Sequence, residues 1–144
     1  MADAAKSAAE MAARKLYASD RASQGLGIRI VDVAPGVATV TMTVREDMAN
    51  GHGICHGGYI FLLADSGFAF ACNSHGPATV AAGASVEFLA PARVGEALTA
   101  VAREEWLGGK TGLYDVVVSR GDGTVIAHFR GRSHRLARSP DPAT

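Results

Sequence analysis

The chain has 144 residues, 48% of them apolar, and its 14 lysines and arginines are matched by 14 aspartates and glutamates. That length and apolar content suffice for one core, and a formal charge of zero excludes a bulk electrostatic pull toward nucleic acid or an anionic membrane. We expect a single domain over 1–144, with little charge repulsion to oppose self-association.

The opening stretch, MADAAKSAAEMAARKLYASD, lacks the continuous apolar core of a signal peptide and carries Asp3, Glu10 and Asp20, so it reads as an amphipathic helix over about 3–20 of a cytoplasmic protein. GLGIRIVDVAPG and VATVTMTV alternate as two strands about a Pro35-Gly36 turn. The turn-rich loop REDMANGHGICH leads into an apolar helix over 57–74, closed by Asn73 to Pro77. Its longest apolar run, Gly57 to Cys72, is shorter than a bilayer span and contains Asp65. TVAAGASVEFLAP is a strand ended by Pro91, and EALTAVAREEWLGG alternates through Leu98, Ala100 and Ala102. TGLYDVVVSR and TVIAHFRGRSHRL form a hairpin about Gly121-Asp122-Gly123, and the tail, about 138–144, is expected to fray. No strand–helix–strand alternation is present, so the class is α+β with a mainly antiparallel sheet. A helix apolar nearly all round needs cover on most sides, which a curved sheet wrapping it provides.

The chemical candidates separate on geometry. Cys55 and Cys72 lie ~25 Å apart along that helix, too far for a disulfide. The same length divides His52-x2-Cys55 from Cys72-x2-His75, so no metal is expected despite the Cys2His2 likeness. There is no G-x-S-x-G elbow, and HGICHGG lacks the Lys-Ser/Thr of a phosphate loop. Asp65 is different, because a carboxylate in an apolar helix costs several kcal/mol unless paired. Either Ser66 or loop donors satisfy it, or it has a function. His56-Gly57-Gly58 opens the helix, where free backbone N–H groups and the dipole favour negative charge. Gly57 lets a ligand approach its N–H closely and suits a carbonyl oxyanion, although both glycines would also serve tight packing. Gly57 and Asp65 lie eight residues apart on one helix, ~12 Å along the axis, whereas one reacting carbonyl needs both within about 3–3.5 Å. If both are catalytic, they come from different subunits of a two-fold dimer.

At these residues the chain resembles a known family. NGHGICHGGYIFLLADSGFAFACNSHG is similar to the signature of hotdog-fold acyl-CoA thioesterases, in particular the phenylacetate-degradation type, the (hydroxy)phenylacetyl-CoA thioesterases. VEFLAPARVGEALTAVA, GKTGLYDVVV and HFRGRSHR extend the likeness over about residues 14–136. The resemblance implies a six-stranded antiparallel sheet wrapped around one long central helix, homodimers that often pair as dimers of dimers, and hydrolysis of an acyl-CoA to free acid and CoA without a cofactor. Asp65 matches the catalytic carboxylate and Gly57 the oxyanion-hole amide. His56 and Asn50 match polar residues that hold the thioester or place water, and Ser66 follows the acid where relatives carry a small hydroxyl. Some relatives carry a water-placing Ser early in the next strand. The matching position here is near Ala81 or Ala82, with Ser85 close but out of register.

For the substrate we expect Gly58, Ser66, Tyr59 and Phe68 near the acyl group, with Phe61 or Leu62. Lys110, Arg130, Arg132 and His134 are the CoA-phosphate candidates; Arg135 and Arg93 are further guesses. Arg130, Arg132 and His134 share one strand face, which would equally be an ordinary solvated face. A dehydratase or hydratase using His56 and Asp65, or a non-catalytic acyl-CoA binding module, are the other readings, and the acyl group stays open.

Overall fold

The computed structural model describes residues 2–137, so the tail expected at 138–144 lies outside the described residues. Helix α1 (Ala2–Ser19) buries only Ala9 and Ala13, four residues apart on one face, and packs on the first strand. The chain then turns at Asp20, whose carboxylate accepts the Ser23 N–H at 3.0 Å and caps a short second helix, α2 (Arg21–Gly25). The sequence reading had no α2. Five residues carry no periodicity, and the one signal for it is Asp20 as an N-cap.

Strands β1 (Arg29–Ala34), β2 (Val37–Thr43), β3 (Thr79–Phe88), β4 (Ala97–Gly108), β5 (Thr111–Ser119) and β6 (Val125–Arg135) form one sheet in the order β1-β2-β4-β5-β6-β3. Every pairing is antiparallel. Helix α3 (Gly57–Cys72) lies on its inner face. Period two decides which side chains meet it: Val40 and Met42, then Leu98, Ala100 and Ala102, then Tyr114, Val116 and Val118, with Phe129 on β6, are all buried. Close approach shows at Gly131, where an added Cβ would stand 2.8 Å from the Phe68 ring. That ring also packs on Tyr114 and Phe129, with centroids 5.5 and 5.8 Å away.

Helix α3 stops at Cys72, two residues before the end expected from sequence. Asn73 takes over there: its Nδ2 donates to Ala69 O at 2.8 Å and Thr79 O at 3.0 Å, and its Oδ1 accepts the Thr79 N–H at 2.9 Å. This ties the helix end to the start of β3. The sheet covers α3 on most sides, as expected. The side left open is a stripe of Gly58, Phe61, Leu62, Asp65 and Ala69, related by steps of three and four, which is exposed or half-buried. Beside that stripe β3 is an edge strand, paired among the described residues with β6 alone and exposed from Val80 through Ser85. Among the described residues no helix is long and apolar enough to cross a membrane.

Candidate active site

The site begins in the loop before α3. Asn50 organises it: its Oδ1 accepts the N–H groups of His52 at 2.9 Å and Ile54 at 3.3 Å, and its backbone N–H donates to Ile54 O at 2.7 Å. Two backbone donors on one side-chain atom identify that atom as the oxygen, so the amide presents only its Nδ2 donors elsewhere. His56 is the N-cap, in extended conformation, and its Nδ1 accepts the Gly58 N–H at 3.4 Å. An accepting Nδ1 places the neutral ring's proton on Nε2, so His56 too offers a donor. The Tyr59 N–H turns back to His56 O at 3.0 Å. Among the described residues the Gly57 N–H has no acceptor, which leaves it as the open amide of the helix start. A Cβ on Gly57 would stand 2.8 Å from the Phe88 ring, which lies over this amide from β3.

Asp65 sits two turns further on. No donor among the described residues reaches its carboxylate, and burial first, then the negative charge of Asp20, push its carboxyl above the usual value. Ser66 does not satisfy it. The buried Ser66 Oγ lies 2.7 Å from Ser23 Oγ, whose single proton is already donated to Asp20 Oδ2 at 2.6 Å. Ser66 must therefore donate to Ser23, and its proton is not available to a substrate or to Asp65. A half-buried carboxylate with raised basicity and no partner is what a general base or nucleophile requires.

The sheet register settles where the neighbouring hydroxyl points. Ser85 pairs with Arg130 and Val86 with the buried Phe129, so Ser85 faces outward with Arg130. Ala81 pairs with the buried Ser133 and faces inward, where it lines a cavity of about 220 Å³ with Asp65. The bulge at Ala82 reverses the alternation between them. The inward position near Asp65 is thus an alanine, and a water there lacks that side-chain hydroxyl.

The remaining candidates are dispersed. Phe68 is core and forms a wall of that cavity, while Tyr59 is half-buried near the helix start. Arg130, Arg132 and His134 do share the outer face of β6, on the side of the sheet away from α3. Arg130 is taken by Asp115 in a two-pronged ion pair at 2.6 and 2.8 Å, and Arg132 Nη2 reaches Ala82 O at 3.3 Å. Lys110 is exposed at the β4–β5 turn, and Arg93 is exposed ahead of β4. The two cysteines are free and buried. Burial, then the Asp65 charge, raise the Cys72 thiol to about 12, and burial raises Cys55, so neither is a ready thiolate near neutral pH. His75, from the Cys2His2 likeness, bonds Glu104 at 2.8 Å instead. Sequence reasoning missed Phe88 over Gly57 and Asp20 behind Asp65. Phe88 could have been placed from the inward phase of Ala84 and Val86, whereas no local signal links Asp20 to a residue 45 positions away.

A fold of one helix against a six-stranded antiparallel sheet, with an open amide and an unpaired acid on that helix, defines a class. The model of the thioesterase superfamily matches residues 52–127, more than half of the chain, and the chain belongs to that superfamily, with its hotdog fold. The chain is 45% identical over 124 residues to the acyl-coenzyme A thioesterase PaaI of Escherichia coli (strain K12), covering 86% of this chain and 89% of that protein. The structure of the E. coli PaaI protein from the phenylacetic acid degradation operon superimposes with a TM-score of 0.91 at 42% identity, over 93% of this chain and 97% of that one. A Streptococcus mutans protein solved with acetyl-CoA bound is similar at a TM-score of 0.73 and 27% identity, over 76% of this chain and 88% of that one.

Proposed function

We propose that the protein hydrolyses acyl-CoA thioesters, aromatic ones such as phenylacetyl-CoA or hydroxyphenylacetyl-CoA among them, to free acid and CoA at sites shared by two subunits. The carrying observation is the pairing, on one continuous helix, of a Gly57 N–H that has no acceptor and an Asp65 that has no donor among the described residues, ~12 Å apart along the axis. Neither completes a site alone. A two-fold axis beside the half-exposed stripe of α3 and the open β3 edge would bring each Asp65 to the other subunit's helix start, and would cover both surfaces. A homodimer follows from this reading, and its further pairing as a dimer of dimers is what the family resemblance implies.

In that site the thioester oxygen accepts from the Gly57 N–H, with the Asn50 Nδ2 and His56 Nε2 donors nearby to hold the thioester or a water. Asp65 of the partner subunit takes a proton from water as it attacks the carbonyl carbon, and returns it to the departing CoA sulfur when the C–S bond breaks. In the covalent variant the Asp65 carboxylate attacks the carbonyl carbon and the C–S bond breaks to release the CoA thiolate, and water then opens the resulting anhydride to the free acid and the regenerated carboxylate. Single turnover in oxygen-18 water tests the covalent route: label in the Asp65 side chain requires an anhydride opened at the Asp65 carbonyl, whereas label confined to the product acid fits direct hydrolysis and an anhydride opened at the acyl carbonyl alike. Thiol release from an acyl-CoA panel, run beside an enoyl absorbance assay, tests the reaction class; absence of thiol release from every thioester would overturn it.

Lys110 and Arg132 are the candidate cations left for the CoA phosphates, with His134 beside them as a further donor, since Arg130 is held by Asp115. Lys110→Ala with Arg132→Ala is expected to raise KM for acyl-CoA several-fold at nearly constant kcat, because phosphate contacts bind ground and transition states alike. The same double variant should treat an acyl-N-acetylcysteamine thioester, which lacks the nucleotide, as the wild type does. An equal loss on both substrates removes these residues from the CoA site.

A further inference from the structure

The corner between α1 and α2 touches the site in a way the reaction itself does not require. Leu16, on the last turn of α1, lines the cavity of about 220 Å³ beside Asp65, opposite Ala69 and Cys72 of α3 and Val80 and Ala81 of β3. The walls other than Asp65 are mostly apolar, as a pocket for a hydrocarbon group would be. With water taking about 30 Å³, the space holds about seven water-sized groups. That suits a phenyl-sized or short aliphatic tail.

Leu16 is also held in place. Four residues on, Asp20 accepts both the N–H and the hydroxyl of Ser23, at 3.0 and 2.6 Å, and Ser23 receives the hydroxyl of Ser66 from α3 at 2.7 Å. Ser23 and Ser66 are both buried. Tyr17, next to Leu16, donates to Ile28 O at 2.6 Å and packs on Phe70 of α3. A buried hydroxyl chain ending on a carboxylate is a strong tether. It joins the turn that carries Leu16 to the residue next to Asp65, so this wall cannot drift without moving α3.

We infer that the cavity receives the acyl group and that Leu16, clamped to α3 through Asp20, Ser23 and Ser66, sets its depth and so the acyl size the enzyme accepts. The inference rests on the thioesterase reading, and its test separates the two. Wild-type protein, Leu16→Ala and Leu16→Phe are compared in kcat/KM across acetyl-, phenylacetyl- and decanoyl-CoA, and in affinity for the corresponding hydrolysis-resistant acyl-CoA thioethers. Leu16→Ala should raise the decanoyl-to-phenylacetyl ratio roughly tenfold, the lower end of what one methylene is worth in a hydrophobic pocket, and Leu16→Phe should lower the phenylacetyl-to-acetyl ratio by a similar factor. The thioether affinities should follow the same order. Unchanged ratios in both variants, with native circular dichroism, overturn the inference. Absence of thiol release by the wild type overturns the thioesterase reading instead, and the thioether ratios then still decide whether Leu16 bounds the pocket. Leu16→Phe keeps an apolar side chain at a half-buried position, so the comparison survives if the alanine variant folds poorly.

Discussion

Asp65→Asn is expected to lower kcat by roughly 10²–10⁴-fold, the usual worth of a positioned base, while the protein folds and dimerises as before. The two side chains are nearly isosteric, so packing of α3 changes little. Stability is expected to move the other way from activity. Burial and the Asp20 charge hold the Asp65 carboxyl above its ordinary value, so the folded state favours its protonated form. The resulting stability is fully present below the unfolded pKa of about 3.9 and is lost as pH rises through the higher folded value. The asparagine variant escapes that loss. Its melting temperature should exceed the wild type's at pH 7, and the difference should shrink as pH falls toward 3. The same raised pKa places the acid limb of the wild-type rate profile above the range of a free carboxylate, because the reaction needs the ionised form. Near-wild-type turnover in Asp65→Asn would falsify the assignment, whatever the stability.

Mixing two inactive variants should restore activity. Gly57→Val closes the helix start, since even a Cβ at this position stands 2.8 Å from Phe88, and Asp65→Asn removes the base. Each homodimer has two damaged sites. A heterodimer has one site with both defects and one with an intact Gly57 and an intact Asp65. Random reassortment makes half the dimers mixed, so the mixture should recover about a quarter of wild-type activity. Rescue at that level requires a site built from two chains. If the subunits exchange, shown by mixed species in native mass spectrometry, and no activity returns, each site belongs to one chain.

Much of this site is legible in the residues themselves. Alternation at Leu98, Ala100 and Ala102 gives the buried face of β4 correctly, because period two depends only on the pleat. The helix start at Gly57 is equally plain from His56-Gly57-Gly58, and its distance from Asp65 follows from rise per residue alone. Other features depend on contacts between distant segments. Ser66 looked available beside Asp65, yet its proton is committed to Ser23, 43 residues away. Arg130 looked free for phosphate, yet β5 places Asp115 against it. The short α2 left no periodic pattern, because five residues bury too little, and only Asp20 as an N-cap marks it.

The sequence by itself determined that a chain of this composition folds as α+β around an apolar helix, and that an amide at its start and an acid two turns later cannot reach one carbonyl from the same chain. Both follow from local geometry, which needs no partner to be specified. Only the tertiary structure decided that no donor among the described residues reaches Asp65, that the bulge turns Ala81 toward it, and that Leu16 bounds the space beside it. Those depend on strand register, on the bulge at Ala82 and on where α1 crosses α3. Such choices are made by packing between segments far apart in the chain, and no local pattern encodes them.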